Sequence, residues 1–283
     1  MSSIQPQVIV IGGGPGGSSA AALLASWGHD VALIARPIPP AGWLAESIPA
    51  STWKLLDAVG MRESVETARF FPNGGNTVWW AGRPERSEAF AGGAAGVHVG
   101  RAALEEVMLS GAERRGVVVS RDAPVRSVER GARGWSVEWG DSEATAPWIL
   151  DASGRAGVVA RRTRVEDRPT GTIALVGRWR REGGWGGDRT HTLIESYEDG
   201  WVWSVPVSNE VRCVTAMVDP RETDLERSGG IAAMLATELE KAPHIRARLD
   251  GATPDGDARA CPASLYTSEA FAADGTILVG DAG

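Results

Sequence analysis

The chain opens with an unbroken apolar run, VIVI at Val8–Ile11, and a small-residue run, SSAAALLASW, separated only by GGGPGG. Four β-branched residues with no polar alternation predict a strand buried on both faces of a parallel sheet, and the run after the glycines predicts a helix. HDVALIAR, residues 29–36, predicts the next strand of a βαβ unit. Leu104, Val107 and Met108 recur at helical spacing and predict an amphipathic helix over residues 99–117. PWILDASGRAG (147–157) and GTILVGDAG (275–283) each read as an apolar strand ending in a glycine turn. Between 172 and 220 the period changes to two, in TIALVGRWRRE, HTLIESYEDG, WVWSVPVS and VRCVTAMVDP, which predicts antiparallel strands with one buried face. A helix, GGIAAMLATELEKAPHIRARL, follows them, and Ser51 is placed to cap a further helix, TWKLLDAVG.

Composition narrows the function. The chain has 283 residues and a net charge of −7, which disfavours nucleic acid or an anionic membrane as partner, since either selects a basic face. The basic run RRTR, residues 161–164, reads as a solvated loop. The two cysteines, Cys213 and Cys261, are expected as buried free thiols. No signal peptide is recognisable, and no apolar run approaches the roughly 18–20 residues that span a bilayer, so a soluble cytoplasmic protein is expected. The four histidines, His29, His98, His191 and His244, show no ligand spacing, so no metal is expected.

Gly12, Gly14 and Gly17 stand in the GxGxxG register, with Pro15 opening the helix. The first glycine permits a tight turn, the second lets backbone approach a pyrophosphate, and the third allows helix and strand to pack closely. Helix N-terminal N–H groups and the helix dipole then face the phosphates, so a dinucleotide is expected. The end of the second strand normally supplies an acidic residue to the adenine ribose; here those positions are Ala35 and Arg36. Arg36 would suit a nicotinamide cofactor carrying a 2′-phosphate, or would lie near the adenine of a flavin dinucleotide.

Four further segments carry a resemblance to the FAD-dependent monooxygenases of the hydroxybenzoate hydroxylase type, and within them to the tryptophan-halogenase-like branch. AESIPAS resembles that branch's segment near the flavin through Glu46, Ser47 and Pro49. Arg101 matches the arginine that reaches the cofactor's phosphates, PWILDASGRAG resembles the turn passing close to the flavin, and Gly280 and Asp281 match the second flavin fingerprint, whose aspartate accepts from a ribityl hydroxyl. The resemblance implies an α/β chain, α+β overall. A Rossmann-like FAD-binding domain (1–70, 95–165 and 266–283) would be interleaved with an antiparallel-sheet substrate domain (71–94 and 166–265). It also implies a further C-terminal region beyond Gly283, and reduction of the FAD by NAD(P)H or a separate flavin reductase.

GWVWSVPVS resembles the WxWxIP signature of flavin-dependent halogenases, with Val205 for isoleucine. Trp201 and Trp203, two apart on a strand, share a face. With Trp79, Trp80 and Pro206 they are the candidate substrate contacts, suited to a small indole or phenol, free or attached to a carrier or peptide. Halogenation in the branch depends on a lysine near the ARFFPNGGNTVWW stretch. This chain has two lysines, Lys54 and Lys241, and neither lies there. The expected activity is therefore hydroxylation of an electron-rich aromatic through a flavin C4a-hydroperoxide, with His98 and Lys54 as candidate catalytic residues. Halogenation, a non-catalytic FAD-binding redox sensor and a nicotinamide-dependent reductase of isoprenoid double bonds are the alternatives.

Overall fold

The computed structural model describes residues 5–38, 43–121, 123–166, 171–186, 189–223, 229–273 and 275–283. Val8–Ile11 is the centre of a six-stranded sheet, flanked by Trp148–Asp151 on one side and Val31–Ile34 on the other, both parallel to it. Thr276–Leu278 and Val118–Ser120 extend the parallel array outward, and Ala272–Ala273 adds an antiparallel edge.

The absence of polar alternation in the central strand has a direct cause. Val8 and Val10 pack with Leu33, Leu104, Met108 and Leu109 on the face covered by the helices Pro15–Ser26 and Arg101–Arg114. Ile9 and Ile11 pack on the opposite face with Val137 and Ala146 of a three-stranded antiparallel meander, residues 125–146. Each branched side chain withdrawn from water in this way contributes roughly 1.5–3 kcal/mol.

The period-two segments form an eight-stranded sheet. Ile173–Arg180, Val211–Val218, Gly200–Pro206 and His191–Tyr197 are successive antiparallel neighbours, as their alternation predicts. Gly75–Trp79 then joins His191–Tyr197 in parallel, with His191 opposite Gly75. One face packs on the helices through Leu175, Val202, Val214, Leu235 and Ile245; the other carries Val205, Cys213 and Trp203 against Trp43 and Ala45. A small antiparallel sheet, Ala45–Ile48, Gly96–Gly100 and Phe71–Asn73, joins the two halves. The hydroxyls of Ser47 and Thr192 meet at 2.7 Å across that junction, and Asn73 Nδ2 donates to Ser47 Oγ at 2.9 Å.

Three local expectations are corrected. Residues 229–249 form two helices, Ile231–Glu240 and Pro243–Arg248, because Pro243 cannot continue the first but suits the opening turn of the second. The buried Glu195 carboxylate accepts the free N–H groups of His244 and Ile245 at 3.2 and 2.8 Å. Ser51 does not cap a helix; it lies inside a 3₁₀ turn, Ala50–Thr52, leading into Trp53–Ala58. Within RRTR, Arg164 opens the strand Arg164–Glu166 and lies over the Tyr266 ring at 3.9 Å, since a weakly hydrated guanidinium gains from an aromatic face.

Candidate functional site

Because the strands are parallel and in register, their C-terminal ends collect on one edge of the sheet. Val8–Ile11 delivers Gly12, Trp148–Asp151 delivers Ala152, Thr276–Leu278 leads to Gly280 and Asp281, and Val31–Ile34 delivers Ala35 and Arg36. That edge is where open α/β sheets bind ligands.

The glycines have separate duties. Gly12 has φ +111°, and a Cβ there would stand 2.2 Å from the Ala152 carbonyl oxygen. A Cβ on Gly17 would stand 1.9 Å from the Gly12 oxygen. Both are therefore required for strand, loop and helix to pack. Gly14 differs: among the described residues the nearest atom to its Cβ position is Glu105 Oε1 at 3.8 Å, which leaves the space above it open. Gly14 is also the N-cap of Pro15–Ser26, and no side chain caps that helix. Its first N–H groups thus face an uncrowded surface, the environment a pyrophosphate requires.

Across this surface stand residues from the small sheet and the Arg101–Arg114 helix. Arg101 Nη1 lies 3.2 Å from Glu46 Oε1 and its Nε lies 3.2 Å from Glu105 Oε1. Asp281 is close enough to act on both Glu46 and Arg101. Burial pushes the Glu46 carboxyl above its usual range, with the Asp281 and Glu105 charges adding to the rise and Arg101 opposing it. Burial works against the Arg101 charge, but Glu46, Glu105 and Asp281 outweigh it and the guanidinium is held more firmly protonated than usual. Glu46 and Ser47 point to opposite sides of their strand: Glu46 meets Arg101, while Ser47 is engaged by Thr192 and Asn73.

The GDAG turn is braced from the far side. The Tyr266 hydroxyl donates to the Asp281 backbone carbonyl, and the guanidinium groups of Arg155 and Arg164 both lie over its ring, at 4.7 and 3.9 Å. Asp151 anchors the neighbouring turn, accepting from Ser153 Oγ at 2.6 Å and from the Val159 and Ala160 N–H groups at 2.7 and 3.0 Å.

On the large sheet, Trp201 and Trp203 share a face, their rings 6.3 Å apart at 70°, and Trp80 lies 6.2 Å from Trp201. Trp79 is not part of this group. It stacks on His244 at 4.7 Å on the helix-covered face, because successive strand residues point oppositely. Pro206 alternates with Val205, which packs with Trp203, and so also turns away from the tryptophan surface. A cavity of about 240 Å³ lies at the junction, lined by Trp43, Ala45, Gly100, Arg178, Val207 and Cys213. Burial pushes the Cys213 thiol up to about 12 and raises that of the half-buried Cys261, so both remain thiols.

The candidate catalytic residues are not brought to this site. His98 is 1% exposed, and its Nε2 donates to the Thr190 carbonyl at 2.8 Å. Burial, with the Arg212 and His191 charges, pushes its pKa down to about 4 and so favours the neutral ring. Lys54 is exposed on Trp53–Ala58 and makes no hydrogen bond or ion pair among the described residues. Lys241 is tied to Asp199 at 2.6 Å and Glu238 at 3.1 Å. Sequence reasoning missed Glu105, Tyr266, Glu106 and Arg121. Each is individually unremarkable in the sequence, and only the register of three or more segments brings it to the edge.

A phosphate-facing glycine loop, a βαβ unit and a second fingerprint at the end of a parallel strand define a dinucleotide-binding flavoprotein of the FAD-dependent oxidoreductase class. The chain belongs to the FAD binding domain family, which matches residues 5–283. It is 28% identical over 303 residues to a tryptophan 2-halogenase of Chondromyces crocatus, covering 98% of this chain and 56% of that protein. The myxobacterial chondrochloren halogenase CndH superposes with TM-score 0.87 at 28% identity, covering 98% of this chain and 68% of that one. The flavin-dependent halogenase CmlS does so with TM-score 0.86 at 26% identity, covering 99% and 54%. The chain thus spans a little over half the length of curated relatives such as the Chondromyces enzyme. The resemblance to the tryptophan-halogenase-like branch holds. These three relatives are halogenases, which backs the halogenase alternative better than the hydroxylation expected from the sequence.

Proposed function

We propose that this chain is the flavin-binding portion of a flavin-dependent halogenase acting on an electron-rich aromatic substrate, with indoles such as tryptophan the first candidates. The observation that carries the reading is the WxWxVP strand itself: Trp201 and Trp203 form one aromatic surface, extended by Trp80, on the face of the large sheet turned toward Trp43 and Ala45. The similarity to the Chondromyces tryptophan 2-halogenase, CndH and CmlS supports it.

When bound and reduced, FAD supplies the oxygen activation that oxidises halide. The chain's residues do the rest. Gly14 and the N-terminus of Pro15–Ser26 receive the pyrophosphate, Arg101 neutralises the Glu46 and Glu105 carboxylates beside it, and Asp281 takes the ribityl chain. Trp201, Trp203 and Trp80 exclude water and hold the aromatic ring by stacking. Reducing equivalents come from a separate flavin reductase or from NAD(P)H.

Hydroxylation is the second reading, and one observation favours it: neither lysine is placed among these residues, Lys54 being exposed and Lys241 held by Asp199 and Glu238. Incubating the full-length protein with FAD, a flavin reductase, NADH, oxygen, bromide and an indole and phenol panel separates the two by product mass. A gain of bromine supports halogenation; a gain of oxygen independent of bromide overturns it.

A further inference from the structure

The second strand of this fold ends without the carboxylate that would grip the adenosine ribose, and Ala35 and Arg36 stand there instead. A cavity of about 170 Å³ opens at that point, lined by Ala35, Arg36, Ile38, Glu106, Leu109 and Arg121. It adjoins the phosphate loop: a Cβ on Gly13 would stand 2.7 Å from the Ala35 Cβ and 2.8 Å from Leu109. An adenosine diphosphate held at the helix N-terminus would have this cavity beside it on the same edge.

Among the described residues one carboxylate lines it, and it comes from the neighbouring helix. Glu106 is held in place by Arg121, whose Nη1 donates to both carboxylate oxygens at 2.8 and 2.7 Å, and by Ser110 Oγ, which donates to Oε1 at 3.2 Å. Oε2 carries a single donor and so retains acceptor capacity. Arg121 is itself saturated, because Glu113 accepts two further bonds from it at 3.0 and 2.9 Å and Ser110 Oγ accepts the fifth at 3.2 Å. The two carboxylates cancel its charge, so it offers little to a 2′-phosphate, whereas Glu106 is preorganised toward a neutral diol.

We propose that Glu106, oriented by Arg121, accepts a hydrogen bond from the adenosine ribose of FAD and so replaces the carboxylate missing from the second strand. The inference rests on the flavin reading above and assigns a residue to its adenosine end. Glu106 is a binding residue, and Arg121 positions it.

The test is a titration of flavin-stripped full-length protein with FAD and with FAD analogues lacking the 2′- or the 3′-hydroxyl of the adenosine ribose. Wild type, Glu106→Gln and Glu106→Ala are compared, and thermal melts confirm folding. The wild type is expected to bind FAD about tenfold more tightly than one of the deoxy analogues, and Glu106→Ala to bind the two within about twofold. Glu106→Gln, which keeps the shape and loses the charge, is expected to fall between them. Equal discrimination by wild type and Glu106→Ala would overturn the assignment, as would unchanged FAD affinity in both variants. A wild-type protein that fails to bind FAD at all would instead sink the flavin reading, a separate and earlier failure.

Discussion

The guanidinium of Arg101 stands 3.2 Å from the Glu46 carboxylate and links the Arg101–Arg114 helix to the Ala45–Ile48 strand beside the phosphate loop. Glu105 adds a second carboxylate at 3.2 Å, next to the open space over Gly14. Without Arg101, two negative charges would face a pyrophosphate. Arg101→Met is therefore expected to weaken FAD binding about 10–100-fold, roughly 1.4–2.8 kcal/mol, with Arg101→Lys intermediate because an ammonium cannot reproduce the guanidinium fork. Fluorescence titration of flavin-stripped protein measures it; unchanged affinity would remove Arg101 from the cofactor site.

Two glycines separate folding from binding. Gly17→Ala forces a Cβ to 1.9 Å from the Gly12 oxygen and should destabilise the chain by several kcal/mol, about the scale of a backbone clash that must be relieved by displacement. Gly14→Ala meets only Glu105 Oε1 at 3.8 Å, so stability should stay within about 1 kcal/mol while FAD affinity falls sharply. Denaturant unfolding of the two flavin-free variants gives the comparison. Equal destabilisation by both would mean that the space over Gly14 is not a ligand site.

Adjacent tryptophans should behave differently. Trp79→Ala removes a ring stacked on His244 and is expected to cost about 3 kcal/mol of stability with little change in substrate KM. Trp80 is 47% exposed and lies beside Trp201, so Trp80→Ala should raise KM while leaving the melting temperature nearly unchanged. The same response to both substitutions would contradict the division of the sheet into a packing face and a binding face.

His98 sets a pH dependence. Its pKa is about 4 when folded, against about 6.5 in an unfolded chain, so the unfolded state takes up the proton first. The native state is therefore favoured fully above pH 6.5, and that advantage is lost progressively as pH falls toward 4, by up to about 3 kcal/mol. Replacing His98 with Gln, which retains an N–H donor for the Thr190 carbonyl, should flatten the stability profile between those limits. An unaltered profile would assign the loss of stability to other groups.

The burial of Val8–Ile11 on both faces of a parallel sheet was legible because such a strand must be apolar throughout, and the glycine register because backbone contacts as close as 1.9 Å tolerate no side chain. The pairing of Trp201 with Trp203 followed from the two-residue strand period alone. Trp79 was misassigned for the converse reason: it adjoins Trp80 in sequence, yet a strand turns neighbours to opposite faces, and no local signal says which face is covered. His98 looked chemically available in a strand of small and apolar residues; its burial comes from strands on either side, through Ser47 and Phe71 of the small sheet and Thr190 beyond it. Glu106 and Arg121 were illegible because an exposed helix face and a loop arginine acquire meaning only when the second strand ends in Ala35.

The most direct test of the proposed activity is an isotope experiment on the full-length protein, supplied with FAD, a flavin reductase, NADH, bromide and tryptophan or a simple indole under ¹⁸O₂. Halogenation predicts a product that gains bromine and carries no ¹⁸O, with yield rising as bromide is added. A product carrying ¹⁸O at the same yield with or without bromide would contradict it and establish the hydroxylase instead.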